Sequence, residues 1–208
     1  MRLFISIIFG SILLSGCDGN PFEKMKKERE SKKLVIESLK DGESAKFRNV
    51  NGECGEVNAK NGFGAYTGFK RYMTPLGLGP FLEENKPSME FETLWYEYCT
   101  DASSKVDLKE CKIYAGNASI LFQDYLLSMH SNYYANAYIE TVNRAYKQLK
   151  DKKPKHYESI ELLNDKIMTA AKSASSDLDD REKEGEEFAI EMFKECASGQ
   201  VPMFKLNN

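Results

Sequence analysis

Cysteine and histidine are the residue types of this chain from which chemistry would first be expected. The sequence contains two histidines, His130 and His156, and five cysteines, at positions 17, 54, 99, 111 and 196. Nucleophilic or acid–base catalysis needs a nucleophile close to a base. Neither histidine stands in a recognisable motif, and no G-x-S-x-G sequence is present. We therefore predict that the protein is not an enzyme and has no catalytic residue.

Metal, cofactor and nucleic-acid binding are not indicated either. No two cysteines have the C-x-x-C spacing of a zinc site, and both histidines are far from every cysteine in the sequence. The glycines between positions 62 and 68 lack the G-x-G-x-x-G and G-x-x-x-x-G-K spacings of phosphate-binding loops. The formal net charge is −3, and there is no long basic stripe. We expect no metal, no cofactor and no nucleic-acid partner.

The N-terminal segment has the pattern of an export signal. Residues 1–16 contain one basic residue, Arg2, followed by an apolar run from Leu3 to Leu14. That run is too short to span a bilayer comfortably, which favours a cleaved signal peptide. The sequence Leu-Ser-Gly-Cys then ends at Cys17. It resembles the lipobox of bacterial lipoproteins.

This resemblance implies a covalent modification of Cys17. In bacterial lipoproteins the cysteine thiol is joined to a diacylglyceryl group, and the signal peptide is removed before the cysteine. The new amino group is usually acylated as well, for example with palmitate. Two or more acyl chains anchor a protein firmly, at about 0.8 kcal/mol per buried CH₂ group. The alternatives are an uncleaved N-terminal anchor, or a secreted protein in which the cysteine is accidental.

The resemblance also implies a location for the protein. We expect a lipid-anchored protein of the bacterial cell envelope that faces the periplasm, with residues 17–24 as its tether. Asp18 follows the lipidated cysteine directly. In enterobacterial lipoproteins an aspartate at that position favours retention in the inner membrane.

Residues 25–100 have the pattern of a helix packed on a small antiparallel sheet. Residues 22–40 are strongly charged at their start and apolar at their end, which predicts a helix. Four segments rich in aromatic and β-branched residues predict strands, namely 45–51, 54–60, 67–73 and 91–99. Residues 75–88 show no periodicity and are interpreted as a loop.

The lysines of the first helix leave two interpretations open. They lie at positions 24, 26, 27, 32 and 33. They could contact anionic lipid head groups near the anchor. Alternatively, they form an ordinary solvated face that is balanced by Glu23, Glu28 and Glu30.

Beyond Asp107 the apolar residues recur with the period of an α-helix. The four helical faces are Cys111, Tyr114, Ala115, Ala118, Phe122, Tyr125 and Met129; Ala135, Ile139, Val142, Tyr146 and Leu149; Ile160, Leu163, Ile167, Ala170, Ala171 and Ala174; and Phe188, Ala189, Met192, Phe193 and Cys196. They predict a helical domain over residues 107–199 and a tail over residues 200–208. The expected fold class is α+β: an N-terminal helix on a small antiparallel sheet, followed by a disulfide-closed helical bundle.

The four cysteines after Cys17 are predicted to form disulfides. The expected compartment is oxidising, and an even set of four indicates two bridges with three possible connectivities. Cys54 and Cys99 both fall on predicted strands of the first unit, whereas Cys111 and Cys196 open and close the helical domain. We therefore predict the pairs Cys54–Cys99 and Cys111–Cys196.

The stretch GECGEVNAKNGFGAYTGFKRY, residues 52–72, predicts a β-hairpin pinned by Cys54. Asn61-Gly62 is a strong hairpin signal. Three glycines in the stretch, Gly62, Gly64 and Gly68, can take the positive φ that other residues resist.

Together with the preceding DGESAKFRNV, this stretch resembles a recurrent module of small exported bacterial proteins. The resemblance covers about residues 41–73 and implies a fold unit and an exported setting, but no reaction. Arg71-Tyr72 stands where Arg-Phe is common in that module.

Aromatic and basic residues of the hairpin form a candidate partner-binding surface. They are Phe63, Tyr66, Phe69 and Tyr72, with Lys60, Lys70 and Arg71. This composition is favoured at the hot spots of protein interfaces. The alternative is that about half of these aromatic residues fill the core of the sheet, as strand residues ordinarily do.

These observations predict a function in binding rather than catalysis. The expected partner is another periplasmic protein, and one version is an inhibitor or immunity-type protein that blocks a toxic or lytic enzyme at the membrane. A structural or assembly component of an envelope complex is a second class. A hydrolase that uses scattered carboxylates is a third.

Overall fold

The computed structural model describes residues 20–77, 79–86, 88–149, 154–175 and 177–202. The strands within them are β1 (Lys46–Asn51), β2 (Cys54–Asn58), β3 (Lys70–Met73) and β4 (Phe81–Leu82). The α-helices are α1 (Pro21–Ser38), α2 (Met89–Tyr98), α3 (Leu108–Ser128), α4 (Asn132–Leu149), α5 (Pro154–Ala170) and α6 (Arg181–Ala197). The predicted signal peptide, the start of the tether with Cys17, and residues 203–208 of the predicted tail lie outside the described residues.

The four strands form one antiparallel sheet in the order β1-β2-β3-β4. One face of the sheet is apolar, because Phe47 lies opposite Val57 and Tyr72 lies opposite Leu82. Helix α1 covers this face, and its Val35 is fully buried against Val57 and Tyr72. The predicted helix on a small antiparallel sheet is therefore confirmed.

The other face of the sheet is a ladder of alternating charges. Arg48 lies opposite Glu56, and Glu56 lies opposite Arg71. Glu83, directly after β4, continues the ladder by an ion pair with Arg71. Opposite charges on neighbouring strands stabilise a sheet, so both faces of this sheet favour the observed register.

The prediction of a strand over residues 91–99 is wrong, because residues 91–98 belong to helix α2 and Cys99 is its C-terminal cap. Ser88 caps the N-terminus of the helix, and its hydroxyl accepts a hydrogen bond from the Phe91 amide at 3.3 Å. Phe91 and Trp95 are one helical turn apart and stack with ring centroids 6.1 Å apart. The aromatic composition suggested a strand, whereas the cap and the four-residue spacing decide for a helix.

Two other local predictions need correction. The segment predicted as a loop over residues 75–88 contains the short strand β4, which pairs with β3. In the helical half, Met129 and Ile139 are predicted on apolar faces, but they are 60% and 53% exposed. For Tyr146 and Leu149, on the second predicted face, the structure describes the helical backbone and not the side chains.

The helical half is built around α3 and α6. The rings of Phe122 and Phe188 stack at 4.6 Å between centroids, and both side chains are buried. Cys111, at the start of α3, is bonded to Cys196, at the end of α6, with the two Cα atoms 5.5 Å apart. The expected disulfide-closed helical bundle is confirmed.

The second predicted disulfide, Cys54–Cys99, is also confirmed, with the two Cα atoms 5.8 Å apart. Cys54 lies in β2 as expected, but Cys99 is the C-terminal cap of α2 and not a strand residue. The bridge therefore ties a helix to the sheet. Helix α2 also reaches the helical half, because the Tyr96 ring meets the Phe193 ring edge-on at 5.8 Å.

Candidate functional site

The connection between β2 and β3 is a loop over residues 59–69 whose tip is held by Asn61. The side-chain oxygen of Asn61 accepts hydrogen bonds from the amides of Phe63 at 2.9 Å and Ala65 at 3.1 Å. The backbone of Asn61 exchanges two further bonds, one with Gly64 and one with Ala65, each of 2.9 Å. An asparagine that bonds the backbone two residues on is a standard way to fix a turn.

Phe63 lies at the tip of this loop and is 97% exposed. Gly64 follows it with a φ of 79°, and Gly68 has a φ of 103°, so these two glycines take the left-handed backbone predicted for them. Gly62 does not, which corrects the prediction for that residue. The loop is thus a wider turn than an Asn-Gly hairpin, and it projects one aromatic ring into solvent.

Tyr66 is the second aromatic residue of the loop, and it is 40% exposed. Its hydroxyl donates to the Ser44 carbonyl at 3.0 Å, and the Lys60 amide donates to the Ser44 hydroxyl at 2.9 Å. The ammonium groups of Lys46 and Lys60 lie 4.5 Å and 5.8 Å from the Tyr66 ring centroid. Cations at these distances are attracted to the ring face. The surface near the tip is therefore both aromatic and basic.

Phe69 and Lys70, the next two predicted site residues, are partly covered. The guanidinium of Arg48 lies 4.1 Å above the ring of Phe69, and it also pairs with Glu56 at 2.5 Å. Lys70 donates to the side-chain oxygen of Asn85 at 2.7 Å. Both Phe69 and Lys70 are half-buried, so they border the exposed tip.

Arg71 has an internal role that the sequence did not indicate. Its guanidinium pairs with Glu83 at 2.6 Å and makes two hydrogen bonds with the carboxylate of Glu92. It also lies 5.1 Å from the ring centroids of both Phe91 and Trp95. Burial on its own would lower the pKa of Arg71, but the hydrogen bonds with Glu92 and Glu83 outweigh burial and raise it above its ordinary value.

Glu92 is the centre of this cluster and is only 1% exposed. Besides Arg71, it pairs with Lys194 of α6 at 2.8 Å. A buried carboxylate needs such partners, because an unpaired charge is expensive to keep away from water. The cluster of Arg71, Glu83, Glu92 and Lys194 therefore joins the sheet, α2 and α6.

Tyr72, the last predicted binding residue, is fully buried in the core under α1. Its ring lies directly over Gly55, where a Cβ atom would be 2.8 Å from the phenol oxygen. Tyr72 thus fills the core, as the alternative interpretation of the aromatic residues expected. The predicted binding residues divide into three exposed residues, a half-buried border and two internal residues. The exposed residues are Lys60, Phe63 and Tyr66, the border is Phe69 and Lys70, and the internal residues are Arg71 and Tyr72.

A groove of about 550 Å³ runs beside the loop, between it and the edge of the sheet. Its apolar lining comes from Leu39, Val57 and Leu82. Charged side chains of both signs also line it, namely Lys40, Lys60, Lys70, Glu83 and Glu84. No sequence pattern indicated this groove, because its walls come from three separate segments.

Three residues of the charge cluster were missed by reasoning from sequence: Glu83, Glu92 and Lys194. A signal existed for Glu92, since Ser88 followed by Glu90 and Glu92 has the pattern of a helix start with acidic residues in its first turn. No comparable signal marks Glu83 or Lys194. Their role depends on long-range packing.

Among the described residues, no group of three or more potential metal-ligating side chains lies together. Within the same residues, none of the helices is both long and apolar enough to cross a membrane. Comparisons with known protein families, with curated proteins and with solved structures found no match.

Proposed function

We propose that this protein is a lipid-anchored lipoprotein of the bacterial cell envelope that binds a periplasmic protein through the loop at residues 59–69. The proposal rests on one observation above all. Phe63 is 97% exposed at the tip of a loop whose shape is already fixed by the hydrogen bonds of Asn61. A fixed loop loses little conformational freedom on binding, which favours affinity.

The surroundings of Phe63 suit a protein partner. Aromatic residues bordered by cationic side chains are typical of interface hot spots, and Tyr66 with Lys46 and Lys60 forms such a border. The adjacent groove offers an apolar floor and charges of both signs. Such a surface can accept an extended or helical segment of another protein.

The position of the loop also fits a protein anchored at its N-terminus. The loop rests on Ser44, just beyond the C-terminal end of α1. Helix α1 has 18 residues, a length of about 27 Å at 1.5 Å per residue. Cys17, the proposed site of lipid attachment, precedes the other end of this helix. Lipid attachment and partner binding therefore take place at opposite ends of α1.

Within this function, the most specific version is an inhibitor or immunity-type lipoprotein that blocks a toxic or lytic enzyme at the membrane. It predicts that cells lacking the protein become sensitive to rival cells that release such an enzyme. Unchanged sensitivity would argue instead for the assembly-factor alternative. No observation on the described residues favours the hydrolase alternative.

The binding surface can be tested by placing a photo-crosslinking amino acid at position 63 and activating it in intact cells. The matched control places the same group at Ile120, which is 60% exposed on α3. We expect one abundant protein adduct from position 63 and none of the same mass from position 120. Phe63→Ala should reduce recovery of that partner at least about tenfold, as loss of a hot-spot residue does.

The anchor is tested separately by Cys17→Ala. We expect this variant to lose its association with membranes while its folded domain still binds the purified partner. Adducts of equal yield at positions 63 and 120 would contradict the assignment of the loop. Membrane association that survives Cys17→Ala would contradict the lipid anchor.

A further inference from the structure

The first two turns of α1 project from the rest of the described structure. All seven residues from 21 to 27 are exposed, and Glu28 is the first half-buried residue of the helix. Two apolar residues lie in this projecting part: Phe22 is 69% exposed and Met25 is 54% exposed. A short helical segment is only marginally stable in water without a surface to pack on. No such surface is provided by the residues that the structure describes.

Helical periodicity separates the side chains of α1 into three faces, because successive residues are about 100° apart. The core face contains Ser31 and Val35, both buried. A second face contains the acidic residues Glu23, Glu30 and Glu37 at intervals of seven. The third face combines apolar with basic residues, and in the N-terminal half of the helix they are all exposed: Phe22, Met25, Lys26 and Arg29. Further along the helix, Lys32 is half-buried over the Phe47 ring and Lys33 pairs with Glu37, so neither belongs to this face.

We propose that this third face, here called the basic face of α1, lies on the anionic lipid surface of the membrane. An interfacial helix of this kind buries aromatic and aliphatic side chains at the level of the head groups while Lys and Arg contact the lipid phosphates. Glu23 and Glu30 lie on the second face, and Glu28 accepts a hydrogen bond from the Gly52 amide at 3.4 Å, so none of the three opposes that contact. The charge of the basic face is complementary to an anionic bilayer and not to a neutral one.

The proposal rests on the lipid anchor at Cys17. Only Asp18, Gly19 and Asn20 separate that cysteine from Pro21, the first residue of α1. A chain of that length spans at most about 14 Å even when fully extended. An acylated Cys17 would therefore hold Phe22 and Met25 close to the bilayer at all times. Contact through the basic face would fix the orientation of the whole protein on the membrane, where a tether alone would not.

The experiment uses the protein purified from membranes and reconstituted into vesicles whose acyl chains carry bromine, which quenches tryptophan on contact. Trp95 is the one tryptophan of the chain, and Trp95→Phe removes its signal. In that background, Phe22→Trp reports on the basic face. Phe63→Trp is the matched control, because Phe63 is also exposed but lies beyond the C-terminal end of α1, far from the N-terminal residues proposed to contact the bilayer.

We expect Phe22→Trp to show blue-shifted emission and at least about twofold quenching in vesicles that contain phosphatidylglycerol, as an inserted interfacial ring would. Quenching should be weaker in vesicles of phosphatidylcholine alone, and Phe63→Trp should not be quenched in either. Equal emission of the two variants, or a Phe22→Trp signal that is indifferent to anionic lipid, would overturn the proposal and leave the face for a protein partner.

Charge reversal provides a second, independent readout. Lys26→Glu with Arg29→Glu should abolish the quenching of Phe22→Trp. The control is Lys109→Glu with Lys112→Glu, an exposed pair with the same spacing on α3, and it should leave the quenching unchanged. Quenching that survives reversal on α1, or that is lost equally with the control, would overturn the role of the basic face.

The same preparation separates this inference from the anchor on which it depends. Flotation with neutral vesicles reports acylation alone, because no anionic lipid is present. Flotation without quenching of Phe22→Trp overturns the inference and leaves the anchor intact. If the protein does not float with the vesicles, the lipid anchor is contradicted, and so is the inference that depends on it.

Discussion

Phe63 and Arg71 lie in one hairpin and both belong to the predicted binding residues, yet their environments are opposite. Phe63 has its ring almost entirely in solvent, whereas the guanidinium of Arg71 is held by Glu83 and Glu92. A residue that already satisfies its charge inside the protein contributes to the shape of a site and not to its contacts. The proposed binding role therefore concerns Phe63 and Tyr66, whereas Arg71 joins the sheet to α2 through Glu92.

The ion pair of Glu83 makes a prediction about pH. Burial alone would raise the pKa of Glu83, but hydrogen bonds from the side chain and backbone of Arg71 outweigh it and hold the pKa below the usual 4.5. A carboxyl whose pKa is lowered by folding adds stability above its ordinary pKa, and that stability is lost as the pH falls through the folded value. We expect Glu83→Gln to cost about 1 kcal/mol at neutral pH and to flatten the acid side of the stability curve.

The measurement is the free energy of unfolding of both proteins from about pH 3 to pH 7. Glu84→Gln is the control, since Glu84 is the exposed neighbour of Glu83. Glu84→Gln should leave the free energy of unfolding falling as steeply at acid pH as it does in the unmodified protein. A Glu83→Gln variant with an equally steep acid side would contradict this role of the ion pair.

At the scale of elements, the junction of β2, β3 and α1 depends on a glycine. Gly55 lies opposite Tyr72 in the sheet, and an added Cβ atom would be 2.8 Å from the phenol oxygen and 2.9 Å from two ring carbons. The Tyr72 ring is fully buried, so it has little room to move. The close approach explains why a residue without a side chain stands in the middle of this strand.

We therefore expect Gly55→Ala to destabilise the protein by about 2 kcal/mol, a usual cost of overpacking a core. Chemical denaturation would measure it. Gly62→Ala is the matched control, because nothing lies within 4 Å of the added atom and its backbone is not left-handed. That change should stay within about 0.5 kcal/mol. Equal stability of the two variants would show that the core around Tyr72 yields more easily than its packing indicates.

At the scale of the whole molecule, the sheet and the helical half are joined through α2. Cys99 attaches one end of this helix to β2, and Tyr96 packs on Phe193 of α6. Between them Glu92 bonds to Arg71 of β3 and to Lys194 of α6. Covalent, apolar and ionic contacts therefore connect the two halves within three turns of one helix. We expect the two halves to unfold together for this reason.

Replacing Glu92 with Gln should weaken this connection strongly. The amide would leave the positive charges of Arg71 and Lys194 without their shared buried partner, and we expect a loss of about 3 kcal/mol in the free energy of unfolding. Glu97→Gln, on the exposed side of the same helix, should cost less than about 0.5 kcal/mol. Thermal unfolding of the two variants gives the comparison. A Glu92→Gln protein as stable as Glu97→Gln would show that the ion cluster adds nothing to the junction.

The sequence by itself determined the features of the protein that depend on residues close together in the chain. The period of 3.6 residues marked the helices beyond Asp107, and the turn residues marked the hairpin between β2 and β3. The even number of cysteines indicated two disulfides, and the predicted division into two units selected both pairs correctly, although Cys99 was expected on a strand and caps α2 instead. The candidate acylation at Cys17 likewise follows from the sequence, and it remains a prediction.

The tertiary structure decided which side of each element is covered. Helix α2 has the composition of a strand, and only the tertiary structure places its aromatic residues against Arg71 on one side and Phe193 on the other. Tyr72 is buried and Phe63 exposed because α1 covers one face of the sheet while nothing among the described residues covers the loop tip. The groove and the partners of Glu92 come from segments far apart in sequence. Such contacts depend on the simultaneous placement of several elements, and no local pattern encodes that.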